Sequence, residues 1–352
     1  MSRFVPATIA AMATVALLTL LPAEARAQSQ LSQTIDVGGL YAPNISTALV
    51  GISENGIAVG QSYDGNTWHP IVFTQANGLT NLGSLVAGST GGAAYGVNSN
   101  GWVVGTAVSY DSSVGYSTNK CYLWKPDNTG AYTAQAIALG SLGGSYCQAW
   151  AINAQGTIVG ESNTSGNNAT HGFVWTPNAQ GTGGTMTDLG VIANYTYGNS
   201  YSTARYINDN GQIAGTSSTS SNNNHAYFWS ASTGMVDVGD LGSGWSDAQG
   251  LDNNGTIIGN AGDPAANGQS RVFIWKPSQG IVGKIQPLPG GNWTSVSSGS
   301  NGSGSRTISP TGQWITGYSD VSGRYRAFLY NTADGTTTDL GTLNSSNPYS
   351  QA

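Results

Sequence analysis

The chain has 352 residues, of which only 8% are charged, with 11 Lys and Arg against 17 Asp and Glu for a formal net charge of −6. So acidic and charge-poor a chain offers no basic patch for nucleic acid or for an anionic membrane surface, both of which select for clustered Lys and Arg. Fifty-one glycines accompany an aromatic content of 9%, and aromatic residues at regular positions argue for turn-rich β structure over disorder.

At the N-terminus, Arg3 gives a short basic start, Ile9 to Leu21 form an apolar run broken by small residues, and Ala25-Arg26-Ala27 is a small-x-small cleavage motif. Residues 1–27 are read as a Sec-type signal peptide, with an uncleaved anchor as the alternative. The run is shorter than the about 20 residues a membrane-spanning helix needs. No later stretch approaches that length, so the expectation is a secreted or periplasmic chain without membrane insertion. Cleavage removes Arg3, Glu24 and Arg26 and leaves nine basic against sixteen acidic side chains, a net −7.

The remainder, residues 28–352, is one repeat domain. An Asn-x-x-Gly turn recurs with its glycine at Gly56, Gly101, Gly156, Gly211, Gly255 and Gly312, spaced by 45, 55, 55, 44 and 57 residues. The turns open on Ser53, Asn98, Asn153, Asn208, Asp252 and Ser309, short polar side chains that can bond their own backbone while glycine takes positive φ. A short β run ending in glycine follows each turn, as in Thr157 to Gly160, and the pair reads as a hairpin. Next comes an aromatic strand, such as Gly172 to Trp175 or Ala226 to Trp229, expected to fill the core. An Asp-Leu-Gly strand closes the unit, as in Asp188-Leu189-Gly190; in the fifth copy Pro287-Leu288-Pro289 takes this place, and its prolines suggest an exposed edge.

Four short strands in about 50 residues have the size of a β-propeller blade. The predicted fold is all-β, a propeller of six four-stranded blades, with repeats at about 45–85, 90–142, 146–192, 202–242, 246–291 and 304–343. A parallel β-solenoid is the rival. Ile35-Asp36-Val37-Gly38-Gly39-Leu40 is an additional copy of the closing strand ahead of the first repeat. Either it or Asp339 to Leu343 is a fifth strand on the final blade, or the ring closes differently.

The motif Gly-Ile-Asn-x-x-Gly-x-Ile-Val-Gly, then His-Ala-Phe-x-Trp, then Asp-Leu-Gly-x-Leu-Gly-Gly resembles the extracellular HAF repeat family. The closest matches are His171-Gly172-Phe173, His225-Ala226-Tyr227 and Gly140-Ser141-Leu142-Gly143-Gly144, and the resemblance covers nearly all of residues 34 to 343. It implies a secreted bacterial repeat protein folded as a propeller, and it carries no catalytic residues to transfer.

All three histidines share one repeat position, His69, His171 and His225, and the other copies place Lys120, Arg271 and Arg326 there. A metal site is one reading of the imidazoles. It is disfavoured, because one histidine per blade stands too far from the next and Lys or Arg does not replace a ligand. The preferred reading is structural: each side chain donates to the Ser/Asn/Asp before the turn or to a loop carbonyl. Cys121 and Cys147 are the only cysteines. A disulfide between adjacent blades suits an exported chain, and two free buried thiols are the alternative. No nucleophile elbow, calcium loop, phosphate loop or Cys/His cluster is present, so no catalytic residue, metal or cofactor is assigned.

In such a meander the connections after strands two and four share one face, where their length varies, and variable loops on a rigid scaffold are where binding usually sits. These loops hold Tyr63, Trp68, Tyr110, Tyr116, Tyr195, Tyr197, Tyr201, Trp245 and Trp293 among Ser, Gly, Asn and Thr, a mixture suited to rigid aromatic contacts and adaptable hydrogen bonds. The expected ligand is a glycan or other cell-surface polymer, with Tyr63, Trp68, Tyr195, Tyr197, Trp245 and Trp293 as the candidate contacts. The same residues can also simply cap and pack the loops. A polysaccharide hydrolase or lyase using Asp240, Asp247, Arg205 and Tyr197, or a purely structural extracellular protein, are the alternatives.

Overall fold

The computed structural model describes residues 36–40, 46–112, 115–194, 200–220, 223–297, 307–342 and 350. Contacts divide the chain into a unit of residues 1–38 and a unit of residues 39–352. In the first, Gly38 N–H donates to Asp36 Oδ1 at 2.9 Å. The second holds six four-stranded antiparallel sheets, each in simple sequence order, which is the architecture of a β-propeller.

Blade one comprises Thr47–Ile52, Ala58–Tyr63, Trp68–Thr74 and Gly78–Asn81, and blade two Gly91–Val97, Val103–Asp111, Tyr116–Trp124 and Ile137–Gly140. Blade three comprises Gly143–Ile152, Ile158–Thr164, Thr170–Pro177 and Gly184–Asp188, and blade four Ser202–Ile207, Ile213–Ser218, Asn224–Ser230 and Gly234–Gly239. Blade five comprises Ser246–Leu251, Ile257–Asp263, Gln269–Lys276 and Gly280–Ile285; blade six comprises Thr294–Ser295, Trp314–Val321, Arg324–Asn331 and Thr336–Asp339. The only helices among the described residues are three one-turn 3-10 segments.

The repeat glycine after each turn does not end strand two, contrary to the sequence reading. In blade one the strand continues from Gly60 to Tyr63, and in blade two from Gly105 to Asp111. The glycine is needed for close approach. A β-bulge in strand one, between Ala204 and Tyr206 in blade four and between Ala248 and Gly250 in blade five, pushes a carbonyl towards strand two. A Cβ at Gly215 would lie 1.9 Å from Thr203 O, and one at Gly259 would lie 1.8 Å from Asp247 O and 2.9 Å from the Phe273 ring.

Two further readings change. Strand four of blade five is Gly280–Ile285: register places Lys284 opposite Phe273 as Asp188 stands opposite Phe173, so Pro287-Leu288-Pro289 follows the strand. In blade six strand one is split: Thr294, in the connection ahead of the sixth repeat, pairs with Ser319, and Ile308, inside that repeat, bridges to Ile315. The connections expected after strand two in blades one and two are shorter than the sequence suggests, because the strands run on to Tyr63 and Asp111 and resume at Trp68 and Tyr116.

The turns behave as their residue types dictate. Gly56, Gly101, Gly156, Gly211, Gly255 and Gly312 all have φ between 71° and 83°, and Asn98 Oδ1 accepts from the backbone N–H of Asn100 and Trp102. The same amides join blades: Asn98 Nδ2 donates to Asn153 O at 2.9 Å, Asn153 Nδ2 to Asn208 O at 3.2 Å and Asn208 Nδ2 to Asp252 O at 2.8 Å. Apolar burial lies between blades, in clusters that join one to two, two to three, three to four, four to five and five to six. The aromatic strand supplies their bulk, with Phe173, Trp175, Tyr227, Phe273 and Phe328 fully buried.

Candidate functional site

Three of the six basic repeat side chains bind the aspartate of strand four in their own blade. His171 Nδ1 lies 2.9 Å from Asp188, His225 Nδ1 2.9 Å from Asp237, and Arg326 donates to Asp339 at 2.8 Å. Two bind an aspartate at the far end of the second hairpin, His69 to Asp64 at 2.8 Å and Lys120 to Asp111. Arg271 donates to Asn292 O at 2.7 Å, and Lys120 also reaches Ser145 O. Loop carbonyls are thus among the acceptors, whereas the Ser/Asn/Asp before the turn is not: it is spent on its own turn and, at Asn98, Asn153 and Asn208, also on the next blade. The hydrogen bond has a consequence at Asp64, whose pKa is held down to about 2 by His69 and then by the N–H groups of Thr67 and Asn66. Asp240, proposed for a hydrolytic site, instead lies 3.2 Å from His225 Nε2.

Cys121 and Cys147 form a disulfide with Cα atoms 5.3 Å apart. It joins blade two to blade three.

On the face where strand one starts and strand two ends, the loop face, the structure gathers several of the expected aromatics. The Tyr63 and Trp68 rings are 5.2 Å apart in blade one. In blade six Trp293 meets Tyr318 at 5.7 Å and Tyr325 at 5.3 Å, and those two tyrosines are 5.5 Å apart. Trp245 is exposed at the start of blade five, and Tyr110 and Tyr116 are exposed at the tip of the long hairpin of blade two. Tyr195 and Tyr197 lie outside the described residues.

A second set was not anticipated as a group. The extra residue of each strand-one bulge is Val50, Tyr95, Trp150, Arg205 and Gln249 in blades one to five. Each stands three positions before the turn-opening Ser, Asn or Asp, so the repeat alignment contained the signal. Tyr95 and Trp150 stack at 4.8 Å, and the Arg205 guanidinium lies 4.5 Å from the centre of the Trp150 ring, a cation–π pair. Tyr95 and Trp150 also line a central cavity of about 710 Å³ bounded by residues from all six blades, from Ile52 of blade one to Pro310 of blade six.

Beside this stack, between blades three and four, Glu161 is buried. Its Oε2 accepts from Tyr201 at 3.2 Å, while the single Tyr146 hydroxyl proton is shared between Gln148 Oε1 at 2.5 Å and Glu161 Oε1 at 3.1 Å. Burial pushes the Tyr201 pKa up to about 12 and raises that of Tyr146, with the Glu161 charge adding to both. Asp247 also titrates above the usual carboxylate range, chiefly by burial, despite hydrogen bonds from Gln249 Nε2 and Asn260 N–H and the charge of Arg205. The arrangement packs phenols, a carboxylate and a fixed guanidinium against the Tyr95 and Trp150 pair, which alone among these side chains lines the cavity. It presents no nucleophile beside a base.

No family model matches the chain, and no curated protein matches it. Among solved structures it is similar to a prolyl endopeptidase, at 9% identity and TM-score 0.56 over 84% of this chain and 42% of that one. It is also similar to a puromycin hydrolase, at 12% identity and TM-score 0.54 over 83% and 44%, and to TolB from Acinetobacter baumannii, at 13% and 0.43 over 81% and 60%. The chain spans less than half the length of the first two proteins, and the likeness is one of fold. No helix among the described residues is long and apolar enough to cross a membrane.

Proposed function

We propose that this propeller is an exported, non-catalytic recognition module of the HAF repeat type, whose loop face takes a neutral glycan or a similar surface polymer. Residues 1–27 act as its signal peptide in this reading, and the Cys121–Cys147 disulfide supports an oxidising compartment. The observation that carries the ligand class is the Trp293, Tyr318 and Tyr325 cluster. Its rings offer faces on which the C–H side of a sugar ring packs, while the Ser, Asn and Thr around them supply hydrogen bonds without a charge requirement.

The test is a glycan array on the purified protein, followed by calorimetry and a product assay on each hit. The expected result is retention without turnover, weakened at least tenfold by Trp293→Ala or Tyr325→Ala. Binding that both variants leave unchanged refutes the assignment to this cluster, and release of a shortened or unsaturated product refutes the non-catalytic reading.

A further inference from the structure

Blades three to six are tied in succession by a hydroxyl relay. Gly172 N–H donates to Ser202 Oγ, whose hydroxyl donates to Gly190 O; Ala226, Ser246 and Gly239 repeat the pattern, as do Val272, Thr294 and Ile285, with every distance between 2.5 and 3.1 Å. The hydroxyl always comes from the start of strand one in the following blade. On blade six the relay runs from Ala327 N–H to Ser350 Oγ to Gly341 O at 2.9 and 2.7 Å. Register makes Thr47 of blade one the counterpart of Ser202, since they pair with Ser62 and Ser217, yet Thr47 Oγ1 bonds Ser62 Oγ instead. Ser350, from beyond blade six, thus occupies the place of the next first strand.

The complementary slot on blade one is filled in the same manner. Ser162, Ser217 and Ser319 each accept the N–H of a residue on the connection leaving the preceding blade, Leu142, Ile192 and Leu288. The counterpart Ser62 accepts from Leu40 at 3.4 Å. The junction between blades six and one therefore has the opening piece of a blade at one side and the closing connection of a blade at the other.

Side chains that the other junctions bury stand open there. Ile52 is 73% exposed, whereas its counterparts Ile207, Leu251 and Ile308 are 8%, 5% and 1% exposed; Leu49 is 40% exposed where Ala204 and Ala248 are 0% and 2%. On blade six, Leu340 is 51% exposed where Leu139 and Val238 are both 6%. Among the described residues no apolar cluster and no hydrogen bond joins blade six to blade one. Elsewhere these positions are covered by strands two and three of the neighbouring blade, as Ile258 and Ile274 cover Ile308.

We propose that this seam is a seventh blade position furnished with its first-strand and fourth-strand ends, and that it accepts a β-hairpin donated in trans to supply the two middle strands. The occupant follows from continuity with the five existing junctions. It presents a Gly-x-Ile-Val-Gly strand and an aliphatic–aromatic strand that begins, as in the other blades, next to the basic repeat position. Because Leu49 and Ile52 also line the central cavity, the hairpin closes that cavity laterally.

The probe is a synthetic hairpin of residues 256–276 of this chain, labelled and titrated into the intact protein, with hydrogen exchange followed in parallel. The expected result is saturable binding that Ile52→Arg and Leu340→Arg each weaken at least tenfold, with slowed exchange confined to Thr47–Ile52 and the outer strands of blade six. Both positions are exposed, so the variants should keep the parent melting temperature; Ile52→Ser serves as the milder substitute. Absence of binding overturns the proposal. So does a dimer of the unliganded protein that Ile52→Arg dissociates, because a second copy is then the occupant.

Discussion

The disulfide stands where the three later junctions carry a hydroxyl relay, and this equivalence can be tested by rebuilding the relay. Register aligns Cys121 with Gly172 and Ala226, and Cys147 with Ser202. Removing both sulfurs as Cys121→Ala/Cys147→Ala loses the crosslink, and for a closed loop of 26 residues the chain-entropy model puts the loss at about 3.5 kcal/mol. The variant Cys121→Ala/Cys147→Ser loses the same crosslink. It also restores a hydroxyl at the position from which Ser202 and Ser246 accept one N–H and donate to one carbonyl, here that of Gly140. Buried hydrogen bonds contribute about 0.5–1.5 kcal/mol each, so two of them should return about 1–3 kcal/mol. Urea unfolding followed by the fluorescence of the ten tryptophans, Trp175 of this junction among them, gives the two midpoints. Comparing the two variants cancels the crosslink. Identical midpoints for the pair would refute the equivalence of disulfide and relay.

Two more outcomes follow from the geometry. Gly259→Ala should destabilise by about 3 kcal/mol or more, because the new Cβ would overlap Asp247 O at 1.8 Å, whereas Gly283→Ala in the same blade, with nothing within 4 Å, should be neutral or stabilising by up to about 1 kcal/mol; melting temperatures decide between them. Since the Asp64 pKa falls from 3.8 to about 2 on folding, its contribution is complete above the unfolded value and is lost as pH drops through about 2. Carboxyl NMR titration and hydrogen exchange at the Tyr63–Trp68 hairpin should therefore show local opening only in that acid window, and opening that begins near pH 5 would contradict the assignment.

Legibility of the chain follows the range of the interactions involved. A turn is a contest among four residues, so Asn153 and Gly156 announce their conformation locally, and six such turns at blade-sized spacing carry the fold. The aromatic strand is also legible, because Phe173 and Trp175 have no other place to bury their rings. The role of Gly160 is not: a strand-ending glycine and one that admits a bulged carbonyl from the neighbouring strand look alike along the chain. The bulge row Tyr95, Trp150 and Arg205 was hidden for a related reason. Its members differ in chemistry from blade to blade, so although the repeat alignment gives them one position, only the folded chain shows that Tyr95, Trp150 and Arg205 come into contact.

What the sequence determined by itself is the repeating unit, its strand count and the pairing of a basic side chain with a blade acceptor, all set by contacts within about 50 residues. Tertiary structure alone decided which acceptor each basic residue uses, that Glu161 is enclosed by tyrosines from two blades, and how the ring treats its ends. Closure depends on surfaces separated by some 300 residues, which no local propensity encodes, so the open seam beside Ile52 and Leu340 becomes visible only when every other junction is laid against it.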